Sequence, residues 1–226
     1  FLSFGLSRSS SLGQVPGVVD ALVFLREVKS HVRSSVPDTV AVLGGGNTAL
    51  DAATAAKALG ARDVYLAYRR SFAEMPGFPA ERAAFLEAGG HVLILTQPLG
   101  YVTDGSGRLK GVRIARTELG APDESGRRRP VIVPDSETVL ACACAIEALG
   151  QSVPEELRSK LAPLTFTSEG LVKVEPGGCS TGVPGVFAGG DLVNGGATVV
   201  QGVAEGMRAA EEIHRQLEGK GQAPGD

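Results

Sequence analysis

The 226-residue sequence has no tryptophan and few aromatic residues of any kind, 5% in all. Its three cysteines, Cys142, Cys144 and Cys179, are too few and too clustered for a disulfide framework, so a reducing cytoplasm is the expected compartment. No apolar run approaches the ~18 residues that a transmembrane helix needs. No basic, apolar and small-residue segment opens the chain as a signal peptide would. A net charge of −3 excludes the basic footprint of a general nucleic-acid binder. The first residue is Phe1 rather than methionine, and FLSFGLSRSSSLG reads like the interior of a longer chain. No internal repeat is found.

Glycine is the abundant residue: 31 of 226, about double the usual ~7%. A glycine excess without a short period predicts tight turns and close backbone approaches, as in nucleotide-binding α/β proteins. Apolar spacing predicts a helix over Val18 to Val32 (Val18, Leu22, Leu25, Val28). Val40 to Leu43 reads as a buried strand, Asn47 to Leu59 as an alanine-rich helix stopped by Gly60, and Val64 to Tyr68 as a second strand. Strand, glycine turn, helix and strand within about 30 residues make a βαβ unit. Further along, Glu81 to Glu87 reads as a helix and His91 to Thr96 as a strand. From about 99 to 135 the alternation changes to an antiparallel meander, interrupted at Asp104 to Gly107 and Gly120 to Arg129. Val139 to Ile146 returns as one buried strand, with Cys142 and Cys144 on the same face. Pro154 to Leu161 is a short helix, Val186 to Ala188 a short strand, and a long amphipathic helix opens near Thr198, with a disordered tail after Gly219.

Gly44, Gly45, Gly46, Asn47, Thr48 and Ala49 fit G-x-G-x-x-A. Gly44 permits the tight turn, Gly46 lets the backbone approach a pyrophosphate, and Ala49 lets the helix pack close on the strand. The helix N-terminus supplies free N–H groups and positive dipole. An NAD site places a carboxylate at the end of the second strand to accept from the ribose hydroxyls. Here Tyr68-Arg69-Arg70 stands there instead. Guanidinium forks suit a phosphate monoester, so NADP(H) is favoured over NAD(H), against the alternative of two solvated arginines.

Taken in order, GGGNTALDAA, YRR with Met75-Pro76 following, the meander with GRRRP, ALGQSVP and VFAGGDLVNGGATVVQGVAEGMRAA resemble the small subunit of NADPH-dependent glutamate synthase. They also resemble related FAD-dependent pyridine-nucleotide oxidoreductases, including the N-terminal half of dihydropyrimidine dehydrogenase. The resemblance runs from about Val15 to Leu217. It implies a Rossmann-like, doubly wound α/β fold with an inserted antiparallel meander and two interleaved dinucleotide-binding domains. Residues 37–150 would be the NADP(H) domain, and 1–36 with 151–226 a partial FAD domain. It further implies that Gly44 to Ala49 hold the NADP pyrophosphate and that Arg69 and Arg70 meet the 2′-phosphate. Ala148, Leu149 and Gly150 would line the nicotinamide side. Gly190 and Asp191 would meet the ribityl and pyrophosphate region of FAD, and Thr198 and Val199 would present main-chain N–H groups to the flavin ring. Asp191 can also be read as a turn residue, and Thr198 as an ordinary N-cap.

The activity implied is hydride transfer from NADPH to FAD, with electrons passing on to iron–sulfur centres or a partner subunit that carries them or the substrate site. No side-chain acid, base or nucleophile is expected, since the protein's task in that step is orientation and electrostatics. The family's first glycine fingerprint, which holds the ADP part of FAD, and its N-terminal cysteine clusters have no counterpart here, and both are expected upstream of Phe1. Cys142 and Cys144 are expected in the core, Cys179 has no metal spacing, and Arg127 to Arg129 read as a solvated hairpin tip. The alternative to an enzyme part is a non-redox NADP-binding or scaffold module that has lost flavin.

Overall fold

The computed structural model describes residues 1–6, 8–122 and 128–221. They fall into two compact units, Phe1–Ser9 with Gln151–Asp226, and Ser10–Gly150. The first unit begins with β1 (Arg8–Ser9). The larger unit then runs through β2 (Val18–Asp20), α1 (Ala21–Lys29), β3 (Thr39–Leu43), α2 (Asn47–Ala58), β4 (Asp63–Ala67), a 3-10 turn Phe72–Glu74, α3 (Pro79–Glu87) and β5 (His91–Leu93). The meander follows as β6 (Thr96–Thr103), β7 (Leu109–Pro122), β8 (Arg128–Ile132) and β9 (Thr138–Ala141), and β10 (Cys144–Glu147) closes the unit.

Five strands form a parallel sheet in the order β2-β10-β3-β4-β5. Both faces of β3 are covered, which is why TVAVL is a continuous apolar run rather than an alternating one. Val40 and Val42 face the helices, in a core with Phe24 of α1, the alanines of α2 and Phe85 of α3. Ala41 and Leu43 face the meander, in a second core with Leu109, Val112 and Ile114 of β7. The three layers are therefore helices, parallel sheet and antiparallel meander. Ala49, Ala52, Ala53 and Ala56 put the smallest side chains on the inner face of α2, so it can lie close to the sheet. Phe24 and Phe85 are fully buried, each contributing on the order of 1.5–3 kcal/mol.

Three sequence-based expectations change. The helix over Val18 to Val32 is instead a strand and a helix: Val18 and Val19 pair with Ala145 and Ile146, and Asp20 caps α1 by accepting from the N–H groups of Leu22 and Val23. Helical apolar spacing could not separate the two, because Val18 serves the strand while Phe24 serves the helix. The meander is longer than 99–135, running from Thr96 to Ala141 as four strands. The single strand over Val139 to Ile146 is two: β9 pairs antiparallel with β7, and β10 joins the parallel sheet. The chain changes sheet at Cys142-Ala143. That change puts Cys142 in the meander-side core and Cys144 in the helix-side core, not on one face.

The smaller unit adds β11 (Gln151–Ser152), α4 (Glu155–Lys160), α5 (Asp191–Asn194) and α6 (Val199–Gly221). β1 and β11 pair antiparallel. Leu6, Val153, Val172, Ala188 and Leu192 make its main core, and Cys179, Phe187 and Ala209 a second. α6 extends two residues beyond Gly219, and the rest of the expected tail lies outside the described residues. No described helix is long and apolar enough to cross a membrane.

All three cysteines are free and buried. Burial pushes the Cys142 thiol up to about 11, and raises those of Cys144 and Cys179 as well. Because the thiolate is the reactive form, a thiol held above its ordinary value stays protonated and inert near neutrality. Titration of the native protein with a chromogenic disulfide reagent at pH 7.5 is expected to give no rapid reaction, and three equivalents after denaturation. A fast-reacting thiol in the native protein would contradict this assignment.

Candidate dinucleotide site

The turn between β3 and α2 is determined by what lies against it. Gly44 sits at φ +143°, and a Cβ there would stand 2.3 Å from the carbonyl oxygen of Ala148. The Ala148 N–H donates to Leu43 O at 2.8 Å and Gly44 N–H to Ala67 O at 3.0 Å, so the end of β3 is pinned from both neighbouring strands. A Cβ on Gly45 would meet the Tyr68 ring at 2.4 Å. One on Gly46 would meet nothing within 4 Å. The first two glycines are thus required by the protein's own backbone and ring. The third opens outward, and leaves a cradle against which an external group can lie.

Gly46 is the N-cap of α2 and supplies no capping side chain. The first N–H groups of a helix have no intrahelical partner. Asn47 does not satisfy them, since its Oδ1 accepts from Phe78 N–H at 2.9 Å. Gly77 N–H donates to Gly45 O at 2.9 Å. The segment after the 3-10 turn is therefore bonded to the glycine turn at two points. Thr48 is half-buried on the first turn of α2, and Ala49 is fully buried against the sheet. Outward-facing amides and helix dipole fit a pyrophosphate.

Arg69 and Arg70 follow β4, Arg69 exposed and Arg70 half-buried. Their backbone is held firmly. Thr96 N–H donates to Tyr68 O, Leu95 N–H to Arg70 O, both at 2.9 Å, and the Thr117 hydroxyl to Arg69 O at 2.8 Å. The Arg70 Nε donates to Arg128 O at 3.0 Å. Arg128 and Arg129 are exposed, and the Arg128 side chain donates to the carbonyls of Gly120 and Leu119. Arg127 lies outside the described residues.

Ala148 touches the glycine turn as described, and Leu149 packs in the meander-side core. Gly150, at φ +105°, accepts from Ser10 N–H at 3.1 Å. Beside them is a residue that sequence reasoning missed. Glu147 is 5% exposed, and its Oε1 accepts from Leu12 N–H at 2.7 Å and from the Tyr101 hydroxyl at 2.5 Å. Burial and this carboxylate raise the Tyr101 phenol far above its ordinary range. The available signal was a lone carboxylate in the apolar run ACACAIEALG.

The other predicted residues belong to the smaller unit. Gly190 has φ +69° and caps α5, which begins at Asp191. Asp191 is exposed, and its Oδ1 accepts from Ala197 N–H at 3.4 Å. The Thr198 hydroxyl accepts from Gln201 N–H at 3.2 Å, the N-cap role that is the alternative reading of this residue. Val199, first residue of α6, is 84% exposed, so the amides at this helix start open to solvent. The turn is held by Glu205, also missed. Its carboxylate accepts from Gly190 N–H at 2.5 Å, from Asn194 Nδ2 at 3.1 Å and from Gln201 Nε2 at 3.3 Å. Burial pushes Glu205 up, but these hydrogen bonds outweigh it and keep the carboxyl below its usual value. An exposed carboxylate at a glycine turn and open amides at a helix start fit a polyhydroxyl chain and a ring bearing carbonyl oxygens.

A parallel sheet with a glycine turn opening onto a helix N-terminus defines a dinucleotide-binding α/β protein. The chain belongs to the pyridine nucleotide-disulphide oxidoreductase family, which matches residues 1–206. It is 41% identical over 225 residues to the NADP(+)-dependent formate dehydrogenase subunit beta of Moorella thermoacetica, covering 96% of this chain and 31% of that one. It is 38% identical over 182 residues to the glutamate synthase [NADPH] small chain of Escherichia coli, covering 79% of this chain and 39% of that one. The chain therefore spans well under half the length of these relatives. Among solved structures, Mycobacterium tuberculosis FprA in complex with NADPH superposes with TM-score 0.69 at 17% identity, covering 96% of this chain and 63% of that one, which shows the shared fold.

Tyr101→Phe removes the phenol that the buried carboxylate accepts from. The expected cost is about 1.5–3 kcal/mol, the scale of a hydrogen bond to a charged group. Urea unfolding of the two proteins measures it, and a change under ~0.5 kcal/mol would mean that the Glu147 contact contributes little.

Proposed function

We propose that the chain is the NADP(H)-binding part, with a portion of the flavin-binding part, of an NADPH-dependent flavoprotein oxidoreductase of the glutamate synthase small-chain type. The observation that carries this reading is the pairing of an outward-opening Gly46 cradle with two arginines, rather than a carboxylate, after β4. Gly44, Gly45, Gly46, Asn47, Thr48 and Ala49 hold the pyrophosphate on the start of α2. Arg69 and Arg70 take the 2′-phosphate, whose charged terminal oxygens can accept paired N–H bonds from planar guanidinium forks. Ala148, Leu149 and Gly150, directly after β10, border the nicotinamide. Residues 37–150 act as the NADP(H) domain, and 1–36 with 151–226 as part of the FAD domain.

Gly190 and Asp191 meet the ribityl chain, where Asp191 accepts from hydroxyl groups, and the amides at Thr198 and Val199 face the flavin ring. A bound flavin supplies the acceptor for the nicotinamide hydride and can release electrons singly. The chain's own contribution is to hold and orient each ring on its own unit and to place positive helix-dipole charge beside the flavin carbonyls. Relatives whose names mark them as a beta subunit or small chain support a further part of the reading. The electrons pass to a partner subunit or domain that carries iron–sulfur clusters or the substrate site, in the cytoplasm.

Arg69→Ala should weaken NADPH by about 1.5–3 kcal/mol, the range for a charge-assisted bond, and NADH hardly at all. Calorimetric titration of both coenzymes into both proteins provides the check. Equal losses for NADPH and NADH would show that Arg69 does not read the phosphate.

A further inference from the structure

The meander is larger than a spacer needs to be, and its contacts to the end of β4 are specific. Thr117, 3% exposed on β7, donates its hydroxyl to Arg69 O at 2.8 Å, and its N–H donates to Leu95 O at 2.8 Å. Leu95, held at φ +50°, donates its own N–H to Arg70 O at 2.9 Å. On β8, the register with β7 shifts between Leu119 and Pro122. Arg128 spans that irregularity, with Nε on Gly120 O and Nη2 on Leu119 O, both at 3.0 Å. Its side chain thereby fixes the strand whose own carbonyl accepts from Arg70 Nε at 3.0 Å.

This arrangement selects one edge of the Arg70 guanidinium. Nε is occupied by Arg128 O, and among the described residues neither Nη has a partner. A guanidinium tied at Nε loses little further freedom when its two Nη groups close on two oxygens of a phosphate monoester. The Arg69 side chain has no hydrogen bond among the described residues either, while its backbone is tied by Thr117. With the backbone tied at both residues and Arg70 also held at Nε, the pair offers its free donor ends at less conformational cost than two unanchored arginines would.

We propose that the β7·β8 strand pair sets the preference for NADPH over NADH, with Thr117 and Arg128 acting as positioning residues for Arg69 and Arg70. This rests on the reading that the 2′-phosphate meets those arginines. Neither positioning residue touches the coenzyme, so both act on the phosphate term alone. The contacts to pyrophosphate and nicotinamide, which NADH shares, are independent of them.

The experiment is calorimetric titration of NADPH and NADH into the 226-residue chain and into Thr117→Val, Thr117→Ser, Arg128→Ala and the double variant Arg69→Ala/Arg70→Ala. Thr117→Val keeps the shape and removes the hydroxyl, and NADPH affinity should fall about three- to ten-fold, the worth of one neutral hydrogen bond. Arg128→Ala should produce a loss of similar size, Thr117→Ser should restore most of the affinity, and NADH should stay within two-fold throughout. The unchanged NADH affinity is the sign of a folded protein, and a merely structural role would move both coenzymes together. Equal losses for the two coenzymes would overturn the proposal, as would unchanged NADPH affinity in both positioning variants while the double arginine variant loses it. If the double arginine variant binds NADPH as the parent does, the phosphate reading itself fails and the proposal falls with it.

Discussion

The approach of Gly44 to Ala148 sets the geometry of the larger unit. β3 and β10 are adjacent parallel strands, and the chain leaving β3 passes so close to β10 that a Cβ would reach Ala148 O at 2.3 Å. Only a residue without a Cβ, at a φ that L side chains avoid, allows that passage. Once Gly44 takes it, Gly45 lies against the Tyr68 ring and its carbonyl receives Gly77 N–H. Tyr68 in turn donates its hydroxyl to Glu74 O at 2.6 Å, which ties the 3-10 turn to the end of β4. Three stretches distant in sequence, near 44, 70 and 148, therefore converge on one turn. The consequence is that the start of α2 points outward with its amides free.

The same logic extends to the meander. A parallel sheet buried on both faces needs a second covering layer, and here that layer is antiparallel strands rather than helices. An antiparallel sheet has polar edges, and here they bond to the segment that follows β4. Thr117, Leu95 and Arg128 send hydrogen bonds to, or accept them from, the Arg69-Arg70 segment. Covering the core and tying down the Arg69-Arg70 segment, the proposed coenzyme end, are thus performed by one inserted element.

How far the sequence disclosed this depends on the range of the interactions. The glycine turn and its flanking strand, helix and strand were legible because the pattern is contiguous in sequence, although the contacts that demand Gly44 and Gly45 come from Ala148 and Tyr68. The missing carboxylate after β4 was legible for the same reason. The faces of Cys142 and Cys144 were not, because periodicity assumes that a run stays in one sheet, and this one changes sheet between them. The start of α1 was obscured by Val18 and Val19, which serve strand and helix patterns equally until Asp20 is recognised as the cap. Glu147 left a trace, a charge in an apolar run, but its partners Leu12 and Tyr101 lie 135 and 46 residues away. Glu205 left none, since on an amphipathic helix a glutamate reads as one more solvated charge.

Glu205 alters how the smaller unit is understood. Gly190 N–H would be the natural donor for an anionic ligand at a glycine turn, but it is taken by Glu205 at 2.5 Å. The same carboxylate holds Asn194 and Gln201, so it braces α5 against α6 from behind the turn. Donor capacity is consequently moved from the turn to the start of α6. There the Thr198 hydroxyl satisfies Gln201 N–H, and the Val199 and Val200 N–H groups have no acceptor among the described residues. What the turn itself presents is an acceptor, Asp191. In the proposed flavin site this sorts the polar groups by ligand chemistry: a carboxylate where hydroxyl groups must be bound, and helix amides where ring carbonyls must be. Burial alone would push the Glu205 carboxyl up, but the Asn194, Gly190 and Gln201 donors outweigh it and stabilise the ionised carboxylate, so the charge is held in place by hydrogen bonds to the turn that it braces.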